Sequence, residues 1–224
     1  MGPKGRHGVN NAEPTRWATG AILATLGREP GRLAVIELRG EEVRTISRAC
    51  LARLIAGAER ALAEAGVGRG DRVHLWAANS ARWIAVAMAT VEIGAVLVPL
   101  DAAASAAETR RVLDAEADAL VVVEAHRAGA LGDGLRLLAI EDIEEAAGPP
   151  EPARPDPDTP VALFRTSGTT GAPKRFHLTL GNIAPVVEEI VGWGGVAEAD
   201  RVMLPLPLHH VYPLITAALP ALTI

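Results

Sequence analysis

An α/β fold, with a largely parallel sheet covered by helices on both faces, is what this sequence predicts. Three observations carry the prediction. Short apolar runs alternate with longer stretches of helical periodicity across most of the chain. Several runs, such as Val96-Leu97-Val98 and Val121-Val122-Val123, are apolar at consecutive positions, as strands buried on both faces are. Glycines, prolines and Asn/Ser/Asp turns separate the runs at the spacing of βαβ units.

The elements follow in order. Residues 33–38 read as a strand closed by Arg39-Gly40, and Thr45 suits a helix N-cap. Ile46, Cys50, Leu54, Ala58 and Leu62 then recur near helical spacing and define one apolar face. Gly66 ends that helix, and residues 68–71 form a turn that Asp71 closes. Residues 73–77 are the next strand. Asn79-Ser80 reads as a cap for a buried helix over 81–93, stopped by Gly94. Residues 95–100 form a continuous apolar strand. Ser105 and Glu108 fit a capping box for a helix reaching about Ala117. Residues 120–123 and 135–140 are strand candidates. Beyond them lie strands at 161–164 and 176–178, a helix starting near Thr179, a Gly-rich break at 192–195 and a strand at 202–204. Trp76 and Trp83 fall within apolar elements and read as core. The charged residues of 108–118 read as a solvated helix face.

This pattern divides the chain into a flexible arm at 1–15, a first α/β subdomain at 16–148, a Pro-rich linker at 149–160 and the start of a second α/β subdomain at 161–224. The 224 residues are enough to bury a substantial core. Hydrophobic residues make up 49% and aromatics only 3%, so packing must be aliphatic. A net charge of −5 excludes a broad nucleic-acid footprint, and no nucleic-acid partner is expected. Cys50 is the single cysteine, which rules out an intrachain disulfide; its apolar neighbours point to a buried small residue. No apolar leader opens the chain. The apolar stretch 204–224 is interrupted by four prolines and holds His209 and His210, a poor membrane span. A cytoplasmic protein is the expectation.

The most informative stretch is Thr166-Ser167-Gly168-Thr169-Thr170-Gly171-Ala172-Pro173-Lys174. Glycines let the backbone approach an anion, amides and hydroxyls donate to phosphate oxygens, and Lys174 adds a mobile point charge. The apolar run before it would hold such a loop at a strand end. This is not the P-loop of Walker-type ATPases, which needs four residues between its glycines followed by Gly-Lys-Ser/Thr. Gly168 and Gly171 have two between them.

The order of these residues resembles the phosphate loop of the adenylate-forming enzymes: acyl-CoA synthetases, peptide-synthetase adenylation domains and luciferases. Other segments are similar to the same family in the same order. They are Gly66-Val67-Gly68-Arg69-Gly70-Asp71-Arg72-Val73, Asn79-Ser80-Ala81-Arg82-Trp83, Gly94-Ala95-Val96-Leu97-Val98-Pro99, and Leu204-Pro205-Leu206-Pro207-Leu208-His209-His210-Val211. The resemblance covers about residues 30–215. Two positions depart from it. Arg175 stands where the family usually has Gly, either crowding the loop or adding a phosphate contact. Leu180 stands where a His is frequent.

The resemblance implies ATP-dependent adenylation of a carboxylic acid, with a fatty acid preferred and aryl acids open, followed by transfer to a thiol such as coenzyme A. It implies that Thr166, Ser167, Gly168, Thr169, Thr170, Gly171 and Lys174 bind the ATP phosphates. It makes Lys174 and His210 the catalytic candidates, His210 beside the reacting carboxylate. A solvated lysine and a part-buried histidine pair are the alternatives. No metal ligand is expected among these residues; the Mg²⁺ ligand, the adenine and ribose sites and the C-terminal lid of the family lie beyond the matched segments. The chain therefore resembles the N-terminal portion of such an enzyme, needing a C-terminal part or a separately encoded partner. A truncated, non-catalytic nucleotide-binding or interaction fragment is the competing reading. The apolar stretch 204–224, without a covering sheet, is expected to leave the isolated chain marginally stable.

Overall fold

The computed structural model of the protein describes residues 19–116, 119–147, 156–165, 174–193 and 197–224. The expected arm at 1–15, most of the linker at 149–160, part of the Gly-rich break and the loop residues 166–173 lie outside the described residues.

Six strands make the main sheet, in the order β6-β5-β3-β4-β7-β8. They are β3 (Arg72–Trp76), β4 (Val96–Pro99), β5 (Leu120–Val123), β6 (Arg136–Ala139), β7 (Pro160–Arg165) and β8 (Arg175–Thr179). All neighbouring pairs are parallel except β7–β8, which is antiparallel. The expected α/β class and largely parallel sheet are therefore what forms. Strands β3, β4, β5 and β7 carry the consecutive apolar residues and are buried on both faces; β6 and β8, at the edges, are partly exposed.

Helices cover both faces. On one side α2 (Arg48–Glu64), α3 (Ala81–Glu92), α1 (Thr19–Gly27) and α6 (Leu180–Gly192) enclose the larger apolar core, with Leu51, Ile55, Trp83, Val73 and Leu97 inside it. On the other side α4 (Ala106–Leu113) and α5 (Ala125–Ala128) help cover a smaller core around Trp76, Val98, Val121 and Leu163. Trp76 and Trp83 are both core, as expected, at 2% and 0% exposure. The caps at Ser80 and Ser105 form as read: Ser80 Oγ accepts from the Trp83 amide, and Ser105 and Glu108 make a full capping box. Gly66 and Gly94 turn the chain out of α2 and α3 at φ of +76° and +73°, a region that penalises any Cβ.

Five expectations need correction. Thr45 does not cap a helix; it lies in β2 (Glu42–Ser47), which pairs antiparallel with β1 (Leu33–Arg39) as a separate hairpin. Ser47, at the strand's end, is the cap, accepting from the Cys50 amide. Residues 202–204 form no strand; Pro205 and Pro207 follow directly and cannot donate to a ladder. Helix α4 stops at Leu113, short of Ala117. Cys50 is only half-buried. Its Sγ donates to Glu145 at 3.0 Å, and burial, then that carboxylate, pushes the thiol up to about 11. Finally, the apolar C-terminal stretch finds cover. Residues 211–223 run as one helix with a π-helical segment at Leu214–Ala218, burying Leu214, Ile215, Ala218, Leu219 and Leu222 in the larger core. Met203, Leu206 and Tyr212 stay exposed.

The contact between α2 and the segment 143–146 is especially tight. The Ala146 amide donates to the Arg53 carbonyl at 3.0 Å, and a Cβ on Gly57 would collide with the Glu144 carbonyl oxygen. We expect Gly57→Ala to lower stability by roughly 2 kcal/mol, overriding the ~1 kcal/mol that Ala gains in helix propensity. Thermal melting checks this, and a raised Tm would contradict the packing.

A second consequence concerns two acids between α2 and α3. Burial, then the nearby Glu92, pushes the Glu59 carboxyl up to about 7, and Glu59 Oε1 has no hydrogen-bond partner among the described residues. The folded state therefore keeps a proton that the unfolded chain releases near pH 4.5. Stability should fall as pH rises from about 4.5 to 7. Glu59→Gln cannot titrate, so it should flatten that decline and stabilise the protein by about 1 kcal/mol at pH 8, with no gain near pH 4. Denaturant unfolding at the two pH values checks it.

Candidate active site

Parallel strands share one direction, so β3, β4 and β7 present their C-terminal ends at one edge of the sheet. Leu97 is level with Ala162, and carrying that register forward brings Arg165, the last residue of β7, beside the end of β4. The expected phosphate-binding residues Thr166, Ser167, Gly168, Thr169, Thr170 and Gly171 leave β7 from this point and lie outside the described residues. Lys174, described and exposed, stands immediately before β8, so the stretch 166–174 joins the two strands of an antiparallel hairpin. Arg165 pairs with Arg175 across that hairpin, and Phe164 with Phe176, their rings stacked 6.0 Å apart.

The β4 end is braced from beneath. Trp76 Nε1 donates to the Asp101 carbonyl at 3.0 Å, and Arg127, lying over the Trp76 ring, donates to the Ala102 carbonyl at 2.5 Å. Asp101 Oδ1 then accepts from the Ala103 amide. The same carboxylate lies 3.6 Å from His209 Nε2. The His209 and His210 rings are 4.1 Å apart.

The two histidines differ in exposure. His209 is the more enclosed, its side chain 10% exposed, whereas His210 is exposed and precedes the helical run at 211–223. Burial, then the neighbouring His210, holds the His209 pKa below the usual imidazole value, against the pull of Asp101. His209 therefore enters neutral chemistry at physiological pH as a donor or acceptor.

Asn79, expected to share a capping role with Ser80, does something else. Its Nδ2 donates to the Leu206 carbonyl at 2.9 Å, and its Oδ1 accepts from the Leu208 amide at 2.8 Å. One side-chain amide thus clamps the segment 206–208 and sets where His209 begins. No local signal separates this from a cap, because its partners are 127 and 129 residues away.

The second residue hidden in sequence is Glu116. It was expected on a solvated face, yet its side chain is 2% exposed. Oε1 lies 3.0 Å from Arg165 Nη2 and 2.9 Å from Arg175 Nη1. Oε2 lies 3.1 Å from Arg72 Nη1 and 3.1 Å from His74 Nε2. Burial alone would raise the carboxyl, but His74 and the arginines together hold it below the ordinary carboxylate value. His74, fully buried, is pushed down to about 4, by burial first. Arg175, which departs from the resembled pattern, is therefore held by a buried carboxylate. Among the described residues, no group of three or more His, Cys, Asp or Glu side chains could hold a metal ion, and no helix is long and apolar enough to cross a membrane.

Comparison with known proteins agrees with this architecture. The family model described as "AMP-binding enzyme" matches residues 23–224. A probable CoA ligase of Humulus lupulus is 32% identical over 196 residues, covering 79% of this chain and 37% of the relative. A feruloyl-CoA synthase of an Amycolatopsis species is 32% identical over 210 residues, covering 88% of this chain and 42% of the relative. The structure of a fatty acyl-adenylate ligase from L. pneumophila, solved with acyl adenylate and pyrophosphate, superimposes with a TM-score of 0.80 over 92% of this chain and 38% of that one; at 19% identity it bears on the fold alone. The chain spans about two fifths or less of the length of such relatives. The match over nearly all of the sequence, on this parallel sheet and this hairpin, shows that the chain belongs to the AMP-binding enzyme family.

Proposed function

We propose that this chain supplies the phosphate-binding part of an ATP-dependent acid–thiol ligase. The observation that carries the reading is the nine-residue Thr/Gly/Lys stretch that joins β7 to β8, following the C-terminal end of a strand in the parallel sheet. In the proposed first step a carboxylate oxygen attacks the α-phosphorus of ATP. The bond to the β-phosphate oxygen breaks, and pyrophosphate leaves with the electron pair. Both reactants are anions, so the barrier is largely electrostatic. The hydroxyls and amides of Thr166, Ser167, Gly168, Thr169, Thr170 and Gly171 hold the β- and γ-phosphates, and Lys174 offsets charge as pyrophosphate departs. His210 orients the carboxylate, with the neutral His209 packed against its ring. In the second step a thiol, such as that of coenzyme A, attacks the acyl carbon; AMP leaves and the thiol proton is released. Mg²⁺ bound to the ATP phosphates would supply further charge neutralisation.

The acid is proposed to be a fatty acid, which a named relative supports: a long-chain fatty-acid–CoA ligase is 31% identical over 188 residues. Relatives named for sulfoacetate, indoleacetate and ferulate make short and aryl acids the comparison set. The competing reading is a fragment that binds nucleotide without catalysis.

The test is acid-dependent exchange of labelled pyrophosphate into ATP, run on this chain alone and after supplying the remainder of a family member in trans. Exchange with a fatty acid, reduced at least 100-fold by Lys174→Ala, is the expected outcome. ATP binding without exchange in either arrangement would establish the fragment reading instead.

A further inference from the structure

We propose that Glu116 is a positioning residue for the phosphate-binding hairpin, acting through Arg165 and Arg175. The inference rests on the reading of 166–174 as a polyphosphate loop. The geometry is specific. Arg165 is the last residue of β7 and Arg175 the first of β8, and they face each other in the hairpin register. A single carboxylate oxygen, Glu116 Oε1, bridges both guanidiniums at 3.0 and 2.9 Å. The two guanidiniums would otherwise repel across the mouth of the hairpin. Glu116 joins them and so sets the separation of the two ends from which the loop springs. Its other oxygen accepts from Arg72 on β3 at 3.1 Å, which gives the bracket a foothold on the central strand.

Positioning and simple charge make opposite predictions. Three guanidiniums against one carboxylate leave two positive charges at the loop base, with His74 neutral. If Glu116 acted only through its field, removing its charge would strengthen anion binding, and keeping the charge on a shorter side chain would change nothing. If Glu116 sets geometry, both changes weaken binding, because neither can hold the two arginines together.

The experiment measures binding of inorganic pyrophosphate to the 224-residue chain by titration calorimetry, for wild type, Glu116→Gln and Glu116→Asp. Hydrogen exchange of the amides of 161–165 and 175–179 is followed in parallel without ligand. Only variants whose melting shows a folded population are compared, and Glu116→Asp, which retains the charge, covers the case in which Glu116→Gln does not fold. The expected result is about 10-fold weaker pyrophosphate binding in both variants, with faster exchange at the hairpin ends and unchanged exchange in β5. Unchanged binding in Glu116→Asp, or tighter binding in Glu116→Gln, overturns the proposal. If the wild-type chain binds no pyrophosphate, the polyphosphate reading of the loop fails. The exchange data then decide the bracket by themselves, with unaltered exchange at the hairpin ends refuting it.

Discussion

The parallel pairing of β3, β4 and β7 is the constraint from which the remaining geometry follows. Parallel strands need crossovers, and each crossover returns the chain so that successive strands end at the same edge. That edge therefore collects Asn79 just after β3, Asp101 just after β4 and the loop stretch after β7, residues scattered over nearly a hundred positions. Strands buried on both faces cannot slip in register without exposing apolar side chains or orphaning amides, so the edge is fixed as firmly as the core is packed. Only then does β7 turn back antiparallel into β8, which makes the proposed phosphate-binding stretch a hairpin connection rather than the strand-to-helix turn of Walker-type loops.

On this scaffold three independent tethers hold the site, and they differ in physical kind. Trp76 and Arg127 brace the end of β4 through a neutral indole hydrogen bond and a cation stacked on the same ring. Asn79 clamps the segment before the histidines through two hydrogen bonds to backbone. Glu116 ties the hairpin through buried ionic contacts. Burying a carboxylate costs several kcal/mol unless its partners are close and well oriented, and here three guanidiniums surround it. That arrangement is sensitive by construction. Loss of any one arginine leaves the carboxylate less well compensated, and loss of the carboxylate leaves like charges in contact.

Much of the fold was legible from local patterns. Cap residues followed by helical periodicity located α3 and α4, and consecutive Val and Leu marked β4 and β5. The failures share a cause. Thr45 and Ser47 both suit a cap, and the choice between them is made by pairing with β1, which local propensity does not report. Residues 202–204 have the composition of a strand, but Pro205 and Pro207 follow them and no neighbouring strand among the described residues pairs with them. Glu116 looks like one more charge in a stretch of interspersed acids and arginines; its partners lie 42 to 59 residues away, and only the sheet order brings them together. The stretch 166–174 gave the clearest signal in the sequence, because close approach to an anion demands glycine and small hydroxyl residues in immediate succession.

Lys174 has a wider consequence. The chain contains only one other lysine, Lys4, and every other permanently charged cation among its side chains is an arginine. Guanidiniums resist acylation and alkylation at neutral pH, whereas an exposed primary amine does not. Amine-directed chemistry is therefore addressed almost uniquely to the foot of this hairpin, apart from the N-terminal region. A fluorophore, a spin label or a biological acyl group arriving at Lys174 would report on, or silence, the one cation that the proposed chemistry needs, and would leave the arginine-built surface of the protein unmarked.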